Sequence, residues 1–315
     1  MDNAERNYER LAEVFWNLPQ KGEEEARREQ AFMDDIIQKA HLDREIEGYL
    51  EGVETVFDGG AGVGRFSIPL AQHGIRVTHF DISQSMLTKA KELAREAGVE
   101  HRINFVQGAL TDLGSYSAGS FDLVISFDAP ISYTYPKHVQ VLQELVRIAR
   151  KSVVISVSSR LGSLPYVFNP IQKRQYIIDE DADDPLVQWY IRNEDKQFKA
   201  WQPDFHLAAE FLRTGLADDP DELYERMEQG ETPWPINYCF LPEELKSILE
   251  SAGLRKIRLS GPGALARSVP REILRQMLCT VEYRQQFLDQ CFAFDSQPSV
   301  CGFGKDNLVA SGIKA

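Results

Sequence analysis

The sequence predicts an α/β fold in which a mostly parallel, doubly wound sheet carries helices on both faces. Two observations support this prediction. Short apolar runs alternate with amphipathic helical stretches between residues 55 and 159, and the alternation returns in the last quarter of the chain. Successive strands joined through helices run parallel with right-handed crossovers, so helices are expected on both faces of the sheet.

The first predicted element is helical. Residues 4–50 are expected to form helices because Leu11, Phe15 and Leu18 recur at helical spacing. The charged run KGEEEARREQ lies in this region and is interpreted as the solvated face of a helix.

Strands and helices then alternate. Strands are predicted at residues 55–59, 75–82, 103–109, 121–128 and 152–158. Helices are predicted at residues 64–73, 84–97 and 137–150.

The alternation stops after residue 159. Residues 160–238 are rich in Trp, Tyr, Asp and Pro. A connection of this length is too long for a bare loop in a compact domain, so a mostly helical insertion is predicted. Because the insertion leaves the carboxyl end of the fifth strand, where ligand crevices of parallel sheets lie, it is expected to hang over a binding site.

The last part of the chain completes the sheet. The predicted elements are a helix at 242–252, a strand at 255–260, a helical piece at 270–291 and a terminal strand, NLVASGIK, at 307–314. The chain is thereby divided into N-terminal helices (1–50), a ligand-binding core (51–159), the insertion (160–238) and the completion of the core sheet (239–315).

Composition restricts the function classes. The 315 residues carry a formal net charge of −13, which makes nucleic acid an unlikely partner and favours a small molecule. No signal peptide or run of some eighteen apolar residues is present, so a cytoplasmic protein without membrane association is expected. The four cysteines form no C-x-x-C pair, and buried thiols without a metal are therefore predicted. The sequence does not indicate an oligomeric state.

A glycine-rich turn follows the first predicted strand. The stretch VFDGGAGVGRF places Asp58 before Gly60, Gly62 and Gly64. Glycines at alternate positions allow a tight turn and bring the backbone N–H groups of the helix start close to a ligand. A dinucleotide fits poorly, because Arg65 stands where the third glycine of G-x-G-x-x-G is expected and an acidic residue is unfavourable beside a pyrophosphate.

The segment DGGAGVG resembles the D-x-G-x-G-x-G motif of class I S-adenosylmethionine-dependent methyltransferases. The resemblance implies S-adenosyl-L-methionine as cofactor, with the cationic amino-acid end of the cofactor facing Asp58. Asp81 ends the second strand seventeen residues after Gly64, where a carboxylate can accept both ribose hydroxyls of an adenosine-containing ligand. The segment DISQSML resembles a further family motif and implies that Ile82 and Met86 flank the adenine, although Met86 alone would also suit the core.

The third and fourth strands supply the remaining cofactor candidates. The acidic residue that the family usually carries near the adenine amino group is replaced by Ala109 and Leu110, which leaves the adenine to backbone groups, and Asp112 is a weaker candidate. In FDLVISFDAPISY, the family's fourth motif places Phe127 at the cofactor. The neighbouring Asp128 either belongs to the site or caps a turn.

The resemblance also implies details of the fold. It predicts a Rossmann-like, seven-stranded sheet in which the last strand, 307–314, is antiparallel and inserted beside strand 152–158. The insertion would form a helical cap over the site, and the N-terminal helices would either form a lid or pack on the sheet.

The methyl acceptor is expected beneath the insertion. Transfer from a sulfonium is an in-line displacement, so position matters most and a base is required only for a hydroxyl acceptor. His206 is the candidate base, with a surface histidine as the alternative reading. The candidate substrate-binding residues are Tyr133, Trp234, Asn237 and Tyr238.

Three functions are therefore weighed. The first is an S-adenosylmethionine-dependent methyltransferase that acts on a small molecule under a helical cap. The second is a tRNA wobble-uridine carboxyl methyltransferase-like enzyme, to which the terminal region around LCTVEYRQQF is weakly similar. The third is a protein that binds S-adenosylmethionine without turnover.

Overall fold

The computed structural model describes residues 6–169 and 171–315. The start of the predicted N-terminal helical region, up to residue 5, and Pro170 of the predicted insertion lie outside the described residues.

A single seven-stranded sheet organises the described part of the chain, in the order β3-β2-β1-β4-β5-β7-β6. The strands are β1 (Thr55–Gly59), β2 (Arg76–Asp81), β3 (Ile103–Gln107), β4 (Phe121–Ser126), β5 (Ala149–Ser158), β6 (Leu254–Ser260) and β7 (Asn307–Lys314). The first five strands pair in parallel, and β7 is antiparallel to both β5 and β6. The predicted Rossmann-like fold with an inserted antiparallel last strand is confirmed.

The central strands are buried on both faces. All six residues of β4 and four of the five residues of β1 are buried, as expected for parallel strands covered by helices on each side. One apolar core contains Phe57 and Leu142, and a second contains Phe66 and Leu123. Strand β4 ends at Ser126, two residues before the predicted end.

The early end of β4 has a backbone cause. Asp128 and Ala129, the second and third residues after the strand, have φ angles of 64° and 62°. This left-handed conformation cannot continue a strand, and it turns the chain out over the carboxyl edge of the sheet.

Fourteen α-helices surround the sheet in the described residues. They are α1 (Glu9–Trp16), α2 (Lys21–Ala31), α3 (Met33–Glu47), α4 (Ser67–Gln72), α5 (Gln84–Glu96), α6 (His138–Ile148), α7 (Arg160–Ser163), α8 (Pro165–Phe168), α9 (Pro185–Ala200), α10 (Phe205–Thr214), α11 (Pro220–Glu228), α12 (Pro242–Ser251), α13 (Arg271–Cys279) and α14 (Val281–Asp295). The predicted helical piece 270–291 is two helices, because Thr280 takes an extended backbone between them. None of the helices in the described residues has both the length and the apolar character needed to span a membrane.

Helix α2 corrects one interpretation from the sequence. The charged run in this helix is not simply a solvated face, because α2 packs against α5 and α9. A Cβ atom added to Gly22 would lie only 3.2 Å from Cβ of Lys89, so glycine allows the two helices to approach closely. Glu25 and Arg28 of the run are both more than three-quarters buried.

Three of the four cysteines are buried, as predicted, but Cys279 is exposed. It closes α13, and its thiol therefore does not belong to a core. Within residues 6–169 and 171–315, no group of three or more His, Cys, Asp or Glu side chains is placed to hold a metal ion.

Asp122 joins the amino ends of the central strands β1 and β4, at the edge of the sheet opposite the carboxyl ends of the parallel strands. Its buried carboxylate accepts hydrogen bonds from the backbone N–H groups of Glu54 (3.0 Å) and Thr55 (3.2 Å) and from Arg150 Nε (3.0 Å). Burial alone would raise the pKa of this carboxyl, but the bonds from Arg150, Glu54 and Lys151 lower it well below its usual range.

We predict that Asp122→Ala destabilises the fold by about 2–4 kcal/mol, because it leaves buried backbone donors without their acceptor. Since the folded-state pKa of Asp122 is lowered, its contribution to stability is present above the unfolded pKa near 4 and is lost as the pH falls below it. Urea unfolding at pH 7 and at pH 3 measures this. An equal difference between variant and wild type at both pH values would contradict the assignment.

Candidate functional site

A cavity of about 920 Å³ opens beyond the carboxyl ends of β1, β2, β4 and β5. Most residues singled out in the sequence line it. These are Asp58, Gly60, Gly62, Asp81, Ile82, Met86, Leu110, Phe127, Tyr133, Trp234 and Asn237. The strand ends bring Asp58, Asp81 and Phe127 together, because parallel strands share one carboxyl edge.

A different physical reason explains why each of the three spaced positions of the turn is a glycine. A Cβ at Gly60 would lie 2.4 Å from Cβ of Pro130, so this glycine avoids a clash. Gly64 has a φ of 88° and lies against Ile68. Gly62 has a φ of 55° and, among the described residues, no atom within 4 Å of its added Cβ, so its left-handed backbone rather than a clash explains this glycine.

Asp81 fixes the shape of this turn. One side-chain oxygen, Oδ2, accepts from the N–H of Gly62 at 2.8 Å, and the other, Oδ1, accepts from the N–H of Ser83 at 2.8 Å. A carboxylate offers about four lone-pair sites, so two bonds leave acceptor capacity for hydroxyl groups in the cavity. Burial raises the pKa of Asp81 to about 6.

Asp58 begins a buried hydrogen-bond chain through Ser67 and His79 to the carbonyl of Gly62. The successive distances are 2.6 Å from Asp58 Oδ2 to Ser67 Oγ, 2.9 Å from Ser67 Oγ to His79 Nδ1 and 3.1 Å from His79 Nε2 to the Gly62 oxygen. The carbonyl can only accept, so Nε2 of His79 must carry a proton. The chain thus links the carboxylate to the backbone of the turn.

The protonation states along this chain follow from burial. Burial lowers the pKa of His79 to about 4, so its ring is neutral at pH 7 and Nδ1 carries no proton. When Asp58 is ionised, the Ser67 hydroxyl donates to it, and no hydrogen then lies between Ser67 Oγ and His79 Nδ1. When Asp58 is protonated, it can donate to Ser67 Oγ, and the Ser67 hydroxyl can donate to His79 Nδ1. Burial raises the pKa of Asp58 to about 7.

Apolar side chains form the part of the cavity near β2 and β3. Ile82, Met86 and Leu110 line it, and the start of α5 is held by Ser83, whose Oγ accepts from the N–H of Met86 at 3.1 Å. Phe127 packs against Phe66 with ring centroids 4.6 Å apart. This wall suits a flat heterocycle better than a charged group.

Four predicted site residues do not line the cavity. Gly64 and Ala109 lie beside residues that do. Tyr238 instead stacks on His138 with centroids 3.9 Å apart, and its hydroxyl donates to Glu244 at 2.5 Å. The interpretation of Tyr238 as a substrate-binding residue is therefore corrected, because its ring stacks on His138 and its hydroxyl is bonded to Glu244.

His206 is the fourth of these residues. It lies exposed in the first turn of α10, where Asp204 caps the helix by accepting from the N–H of Leu207 at 2.7 Å. The neighbouring Leu207 lines the cavity but His206 does not, so the structure does not bring the predicted base to the cavity. Asp112, the weaker candidate, is also exposed.

An ionic group that the sequence did not indicate surrounds Asp128. Its Oδ2 accepts from Arg65 at 2.9 Å and from Arg28 at 3.3 Å, and its Oδ1 accepts from Gln38 at 2.7 Å. Asp128 is therefore not a turn cap. It ties α2, α3 and the glycine turn to the carboxyl end of β4, and the pattern of charges in the N-terminal region was the only signal that could have indicated it.

A second ionic group lies on the far wall of the cavity. Lys173 lies 2.8 Å from Asp34 and 3.2 Å from Asp35, and Lys305 lies 2.5 Å from Asp34 and 2.7 Å from Asp306. Burial alone would raise the pKa of Asp34, but Lys173 and Lys305 lower it overall. Since its members come from α3, the inserted segment and the C-terminal region, no local pattern could have predicted the cluster.

Three aromatic side chains that line the cavity lie close together. Trp16 of α1 lies 6.0 Å from both Tyr133 and Trp234 between ring centroids. The carbonyl of Trp16 accepts from Ser83 Oγ at 2.9 Å, which anchors α1 on the start of α5.

Comparison with known proteins gives a consistent assignment for the core. A family model described as a methyltransferase domain matches residues 56–152. The magnesium-protoporphyrin O-methyltransferase of Synechocystis sp. is 33% identical over 115 residues, which are 36% of this chain and 48% of that protein. The tRNA 5-carboxymethoxyuridine methyltransferase of Escherichia coli is 31% identical over 102 residues, 32% of this chain and 38% of that protein. The alignments span about half the length of these curated relatives or less.

A solved structure resembles the whole chain. The magnesium protoporphyrin IX methyltransferase from Synechocystis with bound SAH has a TM-score of 0.50 at 15% identity, over 98% of this chain and 100% of that one. At this identity the likeness shows the fold alone. The D-x-G-x-G-x-G turn after β1, the match over residues 56–152 and the sheet order agree in identifying this part of the chain as a methyltransferase domain of the class I, S-adenosylmethionine-dependent type.

Proposed function

We propose that the protein transfers a methyl group from S-adenosyl-L-methionine to a small-molecule acceptor held under a helical cap formed by residues 160–238. One observation carries this proposal. A single cavity begins at the glycine turn and Asp81 and continues to side chains of the inserted segment, among them Tyr166 and Trp234. A volume of about 920 Å³ lies at the upper end of the range for small-ligand sites, which leaves room for two ligands.

The cofactor half of the cavity is assigned from the chemistry of its walls. Asp81 would accept the ribose hydroxyls, Asp58 would face the ammonium group, and Ile82, Met86 and Leu110 would enclose the adenine. The empty space beside the Cα of Gly62 would admit the amino-acid end of the cofactor. When bound, the cofactor supplies an electrophilic methyl group on a sulfonium, and the C–S electron pair leaves with the sulfur.

The chain contributes position and exclusion of water. The inserted helices and α1 close the cavity, with Tyr190 and Trp16 among its lining residues, so the N-terminal helices would serve as a lid. We do not assign His206 the role of general base, because it does not line the cavity. Orientation of the acceptor against the methyl group is then the main source of rate enhancement.

The same observations weigh against the two other functions. A tRNA acceptor requires a basic surface, whereas this chain has a net charge of −13. A protein that only stores the cofactor does not need a cavity that continues past it to a second wall of polar and aromatic side chains.

We predict that S-adenosylmethionine and S-adenosylhomocysteine bind with micromolar affinity and that NAD does not bind, because the turn leaves no pyrophosphate site. Isothermal titration calorimetry with the three ligands in parallel measures this. Asp81→Asn should weaken S-adenosylhomocysteine binding at least tenfold, since an amide presents one acceptor oxygen instead of two. Asp183→Asn, at an exposed position, is the matched control and should bind as the wild type does. Binding of NAD alone would refute the proposed function.

We predict opposite effects of Asp58→Asn on stability and on binding. Because burial raises the folded-state pKa of Asp58 to about 7, its stabilising contribution is complete below the unfolded pKa near 4 and is lost as the pH rises through 7. The ligand-free variant should therefore be more stable than the wild type at pH 8, by up to roughly 4 kcal/mol at about 1.4 kcal/mol per pKa unit. The difference should disappear at pH 4.

Chemical unfolding of the ligand-free protein at both pH values tests the stability effect, and calorimetry at pH 8 tests binding. S-adenosylhomocysteine should bind the variant at least tenfold more weakly, because the amide cannot pair with the ammonium group. A variant that is less stable than the wild type at pH 8 would show that the buried carboxyl is ionised without penalty.

A further inference from the structure

Three buried contacts link Asp58, Ser67, His79 and the carbonyl of Gly62, and each contact needs one hydrogen to be a hydrogen bond. The successive distances are 2.6 Å, 2.9 Å and 3.1 Å. The serine hydroxyl carries one hydrogen, and a neutral imidazole ring carries one more, whichever of its nitrogens holds it. The third hydrogen must therefore lie either on the carboxyl group of Asp58 or on the second nitrogen of the His79 ring.

The surroundings of His79 oppose a charged ring. The residue is fully buried, and its ring lies 5.1 Å from the ring of Phe105 between centroids. Burial lowers the pKa of His79 to about 4, Lys91 of α5 lowers it as well, and the bond to the Gly62 carbonyl only partly opposes this. Among the described residues no carboxylate pairs with the ring. The third hydrogen is therefore assigned to Asp58.

The surroundings of Asp58 agree with this assignment. The residue is only 2% exposed, and Ser67 at the start of α4 is its side-chain partner. Burial raises the pKa of this carboxyl, Asp81 at the end of β2 and Asp128 beyond β4 raise it further, and the bond from Ser67 lowers it. His79, which lies opposite Asp58 in the pairing of β1 with β2, competes for the single hydrogen of Ser67.

We propose that Ser67 and His79 are positioning residues that keep Asp58 neutral until it pairs with the ammonium group of the cofactor, so that cofactor binding releases a proton. This inference rests on the proposed binding of S-adenosyl-L-methionine and deepens it. On binding, the O–H bond of Asp58 breaks, and the proton passes to solvent through the cavity that Asp58 lines. The carboxylate then accepts from the ammonium group and from the Ser67 hydroxyl.

The two positioning residues act on Asp58 in opposite directions. Ionisation of Asp58 leaves no hydrogen between Ser67 Oγ and His79 Nδ1, so two lone pairs face each other at 2.9 Å. His79 therefore opposes the ionisation through Ser67, whereas Ser67 favours it as the donor to the carboxylate. Loss of each side chain should thus shift the pH dependence of proton release in opposite directions. A role in packing alone would not produce this opposition.

Titration calorimetry with S-adenosylhomocysteine in phosphate and in imidazole buffer counts the protons released, because the two buffers differ in their heat of ionisation. Since burial raises the pKa of Asp58 to about 7, the wild type should release about one proton at pH 6, about half a proton at pH 7 and about a tenth at pH 8. The profile of Asp58→Asn is subtracted, because burial raises the pKa of Asp81 to about 6 and this carboxyl can lose a proton as well.

Two variants test the positioning roles. His79→Leu removes Nδ1, so the pH of half release should fall by at least about one unit, a tenfold change in the ionisation of Asp58. Ser67→Ala removes the donor to the carboxylate, so the same pH should rise by at least about one unit. His101→Leu, at an exposed position, is the matched control and should behave as the wild type does. The affinity of His79→Leu should also fall at every pH, because the Gly62 carbonyl loses its donor.

The proposed function and this inference fail separately. A wild-type protein that does not bind S-adenosylhomocysteine refutes the proposed methyl transfer. Normal binding without proton release between pH 6 and pH 8 refutes the neutral Asp58, and this measurement needs no variant. Shifts of both variants in the same direction, or no shift in either, refute the positioning roles. If His79→Leu does not fold, a Ser67→Ala profile that is unshifted or moved to lower pH refutes them as well.

Discussion

The carboxylate of Asp81 is the interaction on which the rest of the site depends. By accepting from the N–H groups of Gly62 and Ser83, it joins the turn after β1 to the start of α5 across the edge of the sheet. The left-handed turn at Gly62 and the placement of Met86 in the first turn of α5 both depend on this junction. Burial raises the pKa of the same carboxyl, so the fold holds it at some expense in stability. Titratable groups with shifted pKa values are common at functional sites.

A chain of buried ion pairs extends this junction to parts that are distant in sequence. Arg28 bonds to Asp128 at 3.3 Å and to Asp35 at 2.6 Å, and Lys173 and Lys305 continue the series through Asp34. Buried ion pairs rarely add much stability compared with apolar packing, but they require defined partners. Their effect here is to specify how the N-terminal helices, the inserted helices and the C-terminal strand meet over one cavity.

The two edges of the sheet use aspartate in opposite ways. At the amino edge, Asp122 receives backbone and arginine donors that lower its pKa, and it stabilises the strand pairing. At the carboxyl edge, Asp58 has Ser67 as its side-chain partner and its pKa is raised by burial. The difference lies in the number of donors directed at each carboxylate. One edge is arranged for folding, and the other retains capacity for ligands.

The sequence by itself determined the sheet and the cofactor motif, because both are local. Strand periodicity located β1 and β7 to the residue, and the spacing from Asp58 to Asp81 reflects one strand–helix–strand unit. Only the tertiary structure decided which side chains of the inserted segment and of the C-terminal region line the cavity. His206 and Tyr238 have suitable chemistry, but His206 is exposed and Tyr238 stacks on His138. Asn307 lines the cavity although no motif marks it. Side chains from segments more than a hundred residues apart meet there through packing and charge pairing, which no local pattern encodes.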